Sequence, residues 1–176
     1  MKLNEIVPYI LTFNEKENIR QCLDGLWWAQ EVLVVDSFSN DGTTNIAAEY
    51  PNVRIVRRKF DSHSLQHLFA LDQLSTGSWT LRLDADWVVT PQLVAEIESL
   101  ELTKEVGGVR FKFLYSIYGE MAPVSAYPPV VALFKVQGAG YLQDGHTEKL
   151  VPNGEVIDAQ CRLIHEDKKP LDRFLV

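Results

Sequence analysis

Four short apolar runs, three of them ending in polar or acidic residues, set the tightest limit on what this chain can fold into. Residues 6–12 read as a short buried strand. Residues 32–35 form an unbroken apolar run closed by Asp36, and residues 53–56 form a third strand. A fourth, residues 79–83, runs into Asp84-Ala85-Asp86. A continuous run of that length bounded by turn residues suits a strand covered on both faces, as in a parallel sheet. Helical patterns lie between the runs. Ile19, Cys22, Leu23, Leu26 and Trp27 make one stripe, with Asn14 as its cap and Glu17 closing a capping box. On this reading Trp27 of the Trp27-Trp28 pair is buried. A helix at 43–50 follows the turn residues 37–42, and Pro51 and Asn52 stop it. Leu65, Leu68, Phe69 and Leu71 mark another helix, closed near Gly77. Thr90 caps a further helix with Pro91 at its first position and Leu93, Val94, Ile97 and Leu100 inward.

The pattern then changes. Val109, Phe111, Phe113, Tyr115 and Ile117 alternate as in a half-buried antiparallel strand, and strand-like runs follow at 130–136 and 156–164. The expected fold class is α/β: a mostly parallel sheet flanked by helices, then a mixed antiparallel C-terminal part. At 176 residues it suits a single domain, 1–176. Open parallel sheets bind ligands beyond the carboxyl ends of their strands. Thr12 and Asn14, Asp36, and Asp84 with Asp86 all fall there.

Composition removes several function classes. Lys plus Arg is 17 against 24 for Asp plus Glu, a net charge of −7. That balance disfavours nucleic acid as partner, since phosphate neutralisation needs clustered cations. Cys22 and Cys161 are the two cysteines, far apart and outside any C-x-x-C, which excludes disulfide scaffolds and zinc ribbons. The N-terminus does not read as a secretory signal, and no run approaches the ~20 apolar residues of a membrane span. The expected compartment is the cytoplasm, with peripheral attachment at the inner face of the cytoplasmic membrane allowed.

Asp84 and Asp86 share a face if the strand continues through them. Two carboxylates ~5 Å apart repel by about 3 kcal/mol at an effective dielectric of 20, so a cation, an arginine or protonation of one partner must offset them. A hard divalent ion takes oxygen ligands, and Arg82, two residues from Asp84, is the structural alternative. His63 and His67 have H-x-x-x-H spacing, but Ser64 replaces the Glu a zinc protease needs, so a solvated or phosphate-facing helix is expected. Residues 37–42 echo a Ca²⁺ loop, yet Ala48 holds the position of its bidentate Glu. No G-x-G-x-x-G, G-x-x-x-x-G-K or G-x-S-x-G occurs, which disfavours dinucleotide enzymes, P-loop NTPases and α/β hydrolases.

Leu11-Thr12-Phe13-Asn14-Glu15, Val34-Val35-Asp36-Ser37-Phe38-Ser39-Asn40-Asp41-Gly42-Thr43 and Leu83-Asp84-Ala85-Asp86, in this order and spacing, resemble the family 2 glycosyltransferases. Trp28-Ala29 and His146-Thr147-Glu148 narrow the likeness to the branch of lipopolysaccharide core glucosyltransferases. The resemblance implies a GT-A fold with a nucleotide-binding half, about 1–90, and an acceptor-side half, about 91–176. It implies inverting transfer from a nucleotide-diphospho-sugar, a UDP-sugar foremost, to a saccharide or lipid-linked acceptor in cell-envelope synthesis. Thr12, Asn14 and Glu15 would line the nucleoside pocket, Asp36 would bond the base, and Asp84 and Asp86 would hold Mn²⁺ or Mg²⁺ against the diphosphate. His165 matches a late histidine near the metal. Glu148, expected in a loop, is the first candidate for the base that inversion requires, and Asp144 the second.

Three departures stand out. Trp87 replaces the acid that commonly follows D-x-D. His67-Leu68 stand where relatives often carry Lys-Asn. No Q-x-x-R-W occurs, so processive synthesis is not implied. The chain also stops at 171–176 as a helix begins, consistent with a longer relative. A degenerate GT-A domain that binds a nucleotide-sugar or partner is the alternative reading. A nucleotidyltransferase is disfavoured, because Thr-Phe-Asn-Glu replaces its Gly-rich, basic first loop.

Overall fold

The computed structural model describes residues 1–75, 78–117, 119–122, 127–144 and 147–169. Its first half runs β1 (Tyr9–Thr12), α1 (Ile19–Asp24), β2 (Val32–Asp36), α2 (Thr43–Ala47), β3 (Val53–Arg57), α3 (His63–Asp72) and β4 (Trp79–Asp84). The second half contains β5 (Trp87–Val88), α4 (Pro91–Ser99), β6 (Val106–Ile117), β7 (Glu120–Met121), β8 (Val130–Lys135), β9 (Gly140–Asp144), β10 (Thr147–Val151) and β11 (Glu155–His165). One sheet has the order β3-β2-β1-β4-β8-β6-β11-β5, with β7 paired to the end of β6, while β9 and β10 form a separate hairpin.

The β3-β2-β1-β4 block is parallel, as the alternation of strands and helices anticipates. All five residues of β2 are buried because both faces are covered. Ile10, Val34, Leu81 and Leu83 join α1 and α4 in the larger core, whereas Tyr9, Leu33 and Val35 join α3 and the hairpin in a second one. This period-two division decides which side chains reach the site. Tyr9 pairs in register with Arg82 and Leu11 with Asp84, so all four belong to the face turned toward α3 and the hairpin. Thr90 caps α4 as its sequence requires, its hydroxyl accepting from the Leu93 amide at 3.2 Å.

Four local expectations are corrected. Asn14 does not cap α1, which starts at Ile19 with Asn18 before it; Asn14 instead takes φ of 55° in a turn that reaches toward β2. Helix α1 ends at Asp24, so its stripe never extends to Trp27, which is 71% exposed. Trp28 packs on the core in its place, donating its indole N–H to the Gly25 carbonyl at 3.1 Å. Helix α3 buries Ser64, Gln66 and His67 and leaves Leu65 outside, because these polar groups have partners beneath them. Strand β6 is antiparallel to β8 but parallel to β11. Among the described residues, no helix is long and apolar enough to cross a membrane.

The second half is tightly fitted where β6 starts. A Cβ on Gly107 would lie 2.2 Å from the Asn153 carbonyl oxygen, a backbone atom, whereas one on Gly140 meets nothing within 4 Å. Gly107→Ala is expected to destabilise the fold by about 1–3 kcal/mol in urea denaturation, as overpacking does, with Gly140→Ala much milder. Equal midpoints for the two variants would contradict this fit.

Candidate active site

The rim at the carboxyl ends of β1, β2 and β4 is built by loops that lock to one another. The Asn14 amide donates to Ser39 Oγ at 2.9 Å, and Asn14 Oδ1 accepts from the Asn40 amide at 3.0 Å. The Glu15 amide reaches Thr43 Oγ1 at 2.8 Å and the Lys16 amide reaches Asp41 Oδ2 at 3.1 Å. Asn tolerates the left-handed backbone that Asn14 adopts, and Gly42, with φ of 102°, supplies the other tight bend. The Ser-Phe-Ser-Asn-Asp-Gly-Thr segment is thus a clasp for the loop after β1. Asp36 lies fully enclosed beneath it. Its Oδ1 accepts from Thr12 Oγ1 at 3.1 Å and from Ser39 Oγ at 2.5 Å, and its Oδ2 accepts from the Ser39 amide at 3.0 Å. Asp36 therefore holds the clasp from below rather than facing the cleft, and Asp41, not Asp36, bonds the start of α2.

Two cavities meet at the end of β4. The first, about 510 Å³, is lined by Thr12, Glu15, Ser37, His63 and Gln66 on the rim side. The second, about 380 Å³, is walled by Trp87, Phe113, Tyr127, Pro128, Val130 and His165. Arg82, Asp84, Asp86, Tyr127 and Glu148 border both. Asn14 is not among the lining residues. Glu15 is, its carboxylate held by Asn18 at 2.9 Å and Lys169 at 2.7 Å, and burial raises its pKa against those partners. A further cavity of about 470 Å³ lies where β4 begins, lined by Ser78, Lys104, Glu105 and Lys135, far along the strand from the carboxylate pair.

Asp84 ends β4 and Asp86 follows in a turn, so the two do not continue one strand as the spacing suggested. Both nevertheless line the same cavities. Burial raises the Asp84 pKa, with Arg82 opposing. Asp86 Oδ2 meets His165 Nε2 at 3.0 Å, while Asp86 Oδ1 is buried without a hydrogen-bond partner. Burial would lower the His165 pKa, but that bond and the charges of Asp86 and Asp84 raise it.

The strongest electrostatic feature went unseen in the sequence. Arg82 lies 4.0 Å from Asp84, but its closer partner is Glu148 at 2.9 Å. Glu148 sits in β10 rather than in a loop, and its Oε1 is also 3.4 Å from His67 Nε2. His67 Nδ1 meets Tyr9 Oη at 2.9 Å, and Tyr9 Oη meets Tyr141 Oη at 2.8 Å. A carboxylate accepts only, so His67 Nε2 carries the proton, Tyr9 donates to Nδ1 and Tyr141 donates to Tyr9. Tyr141 stacks on the imidazole at 4.5 Å. Burial pushes His67 down to about 4 despite its carboxylate neighbour. Burial would lift Glu148, yet His67 and Arg82 outweigh it and hold the carboxyl at about 2. Asp144, the second base candidate, pairs through its backbone with Thr147 in the hairpin, and its side chain lies outside the described residues, as does His146. No local periodicity marks Tyr9 or Tyr141; His67 stood out in the sequence by its spacing from His63 and as a departure from the family pattern, but nothing there pointed to Glu148 as its partner.

The donor set suits a hard divalent ion: two carboxylates in one cleft, one oxygen buried and unpaired. Among the described residues, no group of three or more His, Cys, Asp or Glu is already arranged around an ion. Magnesium-type sites of this kind are completed by water and substrate phosphate. His165 already engages Asp86 through Nε2 and serves that carboxylate as a support.

A parallel half-sheet with a carboxylate pair at its carboxyl rim, continued by antiparallel strands, defines a GT-A-like α/β protein. The family model described as Glycosyl transferase family 2 matches residues 9–115, and the chain belongs to that family. It is 30% identical over 82 residues to the "Lipopolysaccharide core biosynthesis glycosyltransferase LpsC" of Rhizobium meliloti, covering 44% of this chain and 30% of that protein. An "Uncharacterized glycosyltransferase" of Rickettsia bellii is 34% identical over 95 residues, covering 53% and 32%. The stretches matched span about a third of these relatives' length. The crystal structure of S. aureus TarS 1-349 superposes with a TM-score of 0.50 at 18% identity, covering 69% of this chain and 38% of that one, a likeness of fold.

The depressed His67 pKa has a consequence for stability. Unfolded histidine binds a proton near pH 6.5, and the folded chain refuses it until about pH 4. The unfolded state therefore gains protons first, and stability falls as pH drops across that window, by about 3 kcal/mol in full. The Glu148 carboxylate, depressed in its turn, adds a loss below about pH 4.5. Urea denaturation from pH 7 to 4 should show this slope for the wild type and a flatter one for His67→Gln. The same slope in both would remove His67 from the account.

Proposed function

We propose that this chain carries out metal-dependent, inverting transfer of a hexosyl group from a nucleoside-diphosphate donor, a UDP-sugar foremost, to a glycan acceptor of the cell envelope. The observation that carries the reading is the position of Asp84 and Asp86 between two cavities. The rim-side cavity suits the donor. Thr12, Glu15 and Ser37 border it, and the clasp over Asp36 makes its floor rigid. The second cavity shares those carboxylates and would take the acceptor, whose hydroxyl must reach the face of the sugar opposite the diphosphate for inversion. The cell-envelope setting rests on the lipopolysaccharide core glycosyltransferase among the relatives.

Asp84 and Asp86 would hold Mg²⁺ or Mn²⁺, and such an ion supplies neutralisation of charge developing on the leaving diphosphate. The chain's own groups do the rest. Arg82 fixes Glu148 at the border of both cavities. Glu148 is the proton acceptor for the incoming hydroxyl. Arg82 and His67 hold it too acidic to be an effective base. Negative charge arriving in the donor cavity draws on Arg82 and raises the proton affinity of Glu148. Its basicity is thereby tied to donor occupancy, which restrains proton transfer until the leaving group is in place.

Calorimetric titration of UDP with and without Mn²⁺ tests the donor site. Wild-type binding should strengthen with metal, and Asp84→Ala and Asp86→Ala should each lose roughly 100-fold of metal affinity. Unchanged Mn²⁺ dependence in both variants would sink the assignment. Glu148→Gln should lower the kcat of UDP-glucose hydrolysis by about 10²–10⁴-fold, the range for a general base. Full turnover in that variant would move the base elsewhere. Nucleotide binding without any turnover of the wild type would favour a binding module instead.

A further inference from the structure

The segment that follows β11 is strapped across the start of α1. The Glu166 amide donates to the Asp86 carbonyl at 2.9 Å, so the strap begins on the turn of the aspartate pair. The Glu166 carboxylate accepts from Gln21 at 2.6 Å, from Ser116 at 3.0 Å and from the Gly119 amide at 3.0 Å. The hub of the contact is Asn18, which is 1% exposed. Its Nδ2 donates to Asp167 Oδ1 at 2.8 Å and to Glu15 Oε2 at 2.9 Å, and its Oδ1 accepts from the Lys168 amide at 2.8 Å. Lys169 closes the ring: its Nζ donates to Glu15 Oε1 at 2.7 Å, with Asp167 Oδ2 3.7 Å away. Both oxygens of a carboxylate that lines the first cavity are thus held by the strap and its hub.

We propose that Lys169 is a positioning residue of the donor cavity: with Asn18 it holds the Glu15 carboxylate as the acceptor for the adjacent hydroxyl groups of a ribonucleoside. The inference rests on the donor reading above and adds the part of the donor that this carboxylate meets. An ionised carboxylate only accepts, and it has about four lone-pair sites. Asn18 and Lys169 take one each, which leaves about two, the number that neighbouring 2′- and 3′-hydroxyl groups fill. A diphosphate is not the group faced, because its oxygens also only accept. Nor is the hexose: Glu15 lines the first cavity and not the second, whereas the transferred sugar must lie within reach of an acceptor in the second. Burial favours the neutral form of Glu15, and Lys169 opposes it. A neutral carboxyl carries a proton of its own and meets the hydroxyl pair with less accepting capacity. The charges of Glu15 and Lys169 cancel, so the pair adds no net charge beside an anionic donor.

The affinity ratio of UDP to 2′-deoxy-UDP, read by calorimetric titration at saturating Mn²⁺, isolates this role. The proteins are wild type, Lys169→Met, Lys169→Arg and Glu15→Gln. Wild type should bind UDP roughly tenfold or more tightly than the deoxy nucleotide, because the latter lacks a hydroxyl bonded to a carboxylate. Lys169→Met and Glu15→Gln should each bring the ratio within about threefold, and Lys169→Arg, which keeps the charge and the donors, should retain it. A smaller folded fraction weakens both nucleotides alike and leaves the ratio unmoved, so loss of stability cannot imitate the expected result. Equal binding of the two nucleotides by wild type would overturn the proposal and leave the donor reading standing. So would a Lys169→Met variant that keeps the wild-type ratio, including one that loses affinity for both nucleotides equally, which would put Lys169 on the diphosphate. Binding of neither nucleotide by wild type would overturn the donor reading and this inference with it.

Discussion

Arg82 is a cation on the inner face of a central strand, and the site is arranged around the need to compensate it. Its side chain is 10% exposed, and breaking a buried ion pair by removing one partner typically costs about 3–5 kcal/mol. The register that pairs Arg82 with Tyr9 turns it toward α3 and away from the larger core. On that side the β9–β10 hairpin brings Glu148 against it, and apolar packing of Tyr141 and Leu150 seats the same hairpin. The ion pair therefore ties a separate two-stranded unit to the sheet at the border of the two cavities. The partition between the two cavities is made of charge as much as of shape.

The polar chain behind Glu148 makes that partition rigid. Tyr141, Tyr9 and His67 satisfy one another in sequence, so the imidazole presents its remaining N–H to the carboxylate. A buried network of this kind is costly when any member is unsatisfied and strongly orienting when all are. It also explains why α3 turns polar residues inward. Ser64, Gln66 and His67 lie on its buried face, with Gln66 bonded to Ser37 and Arg58. The helix thereby reaches the clasp loop after β2 and the hairpin at once.

Much of the parallel half was legible in the sequence, because each strand there is a contiguous run, and the runs of β1, β2 and β4 end at the rim of the cavities. The Thr90-Pro91 start of α4 was legible from its capping pattern. The β9–β10 hairpin was not, since its placement depends on partners 66 and 132 residues away in sequence, Arg82 for Glu148 and Tyr9 for Tyr141. Asn14 misled for a related reason. Its side chain satisfies the amide of Asn40 across a loop, an option that a local capping pattern cannot distinguish from helix initiation. The burial of Asp36 was equally hidden: the motif carries its identity, but only the neighbouring loop shows that Ser39 encloses it.

Trp87 gives the last step its sense. The resemblance places an acid at this position, directly after the aspartate pair. The indole instead lies 5.5 Å from the Arg82 guanidinium and edge-on to Phe113. An aromatic face attracts a cation without carrying a net charge. A carboxylate there would have competed with Glu148 for Arg82 and added a further negative charge beside Asp84 and Asp86. With Trp87, Arg82 stays committed to Glu148, and the cavity beyond gains apolar wall in place of another acid. The same substitution that departs from the family pattern thus makes the two walls of that cavity unlike, one charged and one aromatic.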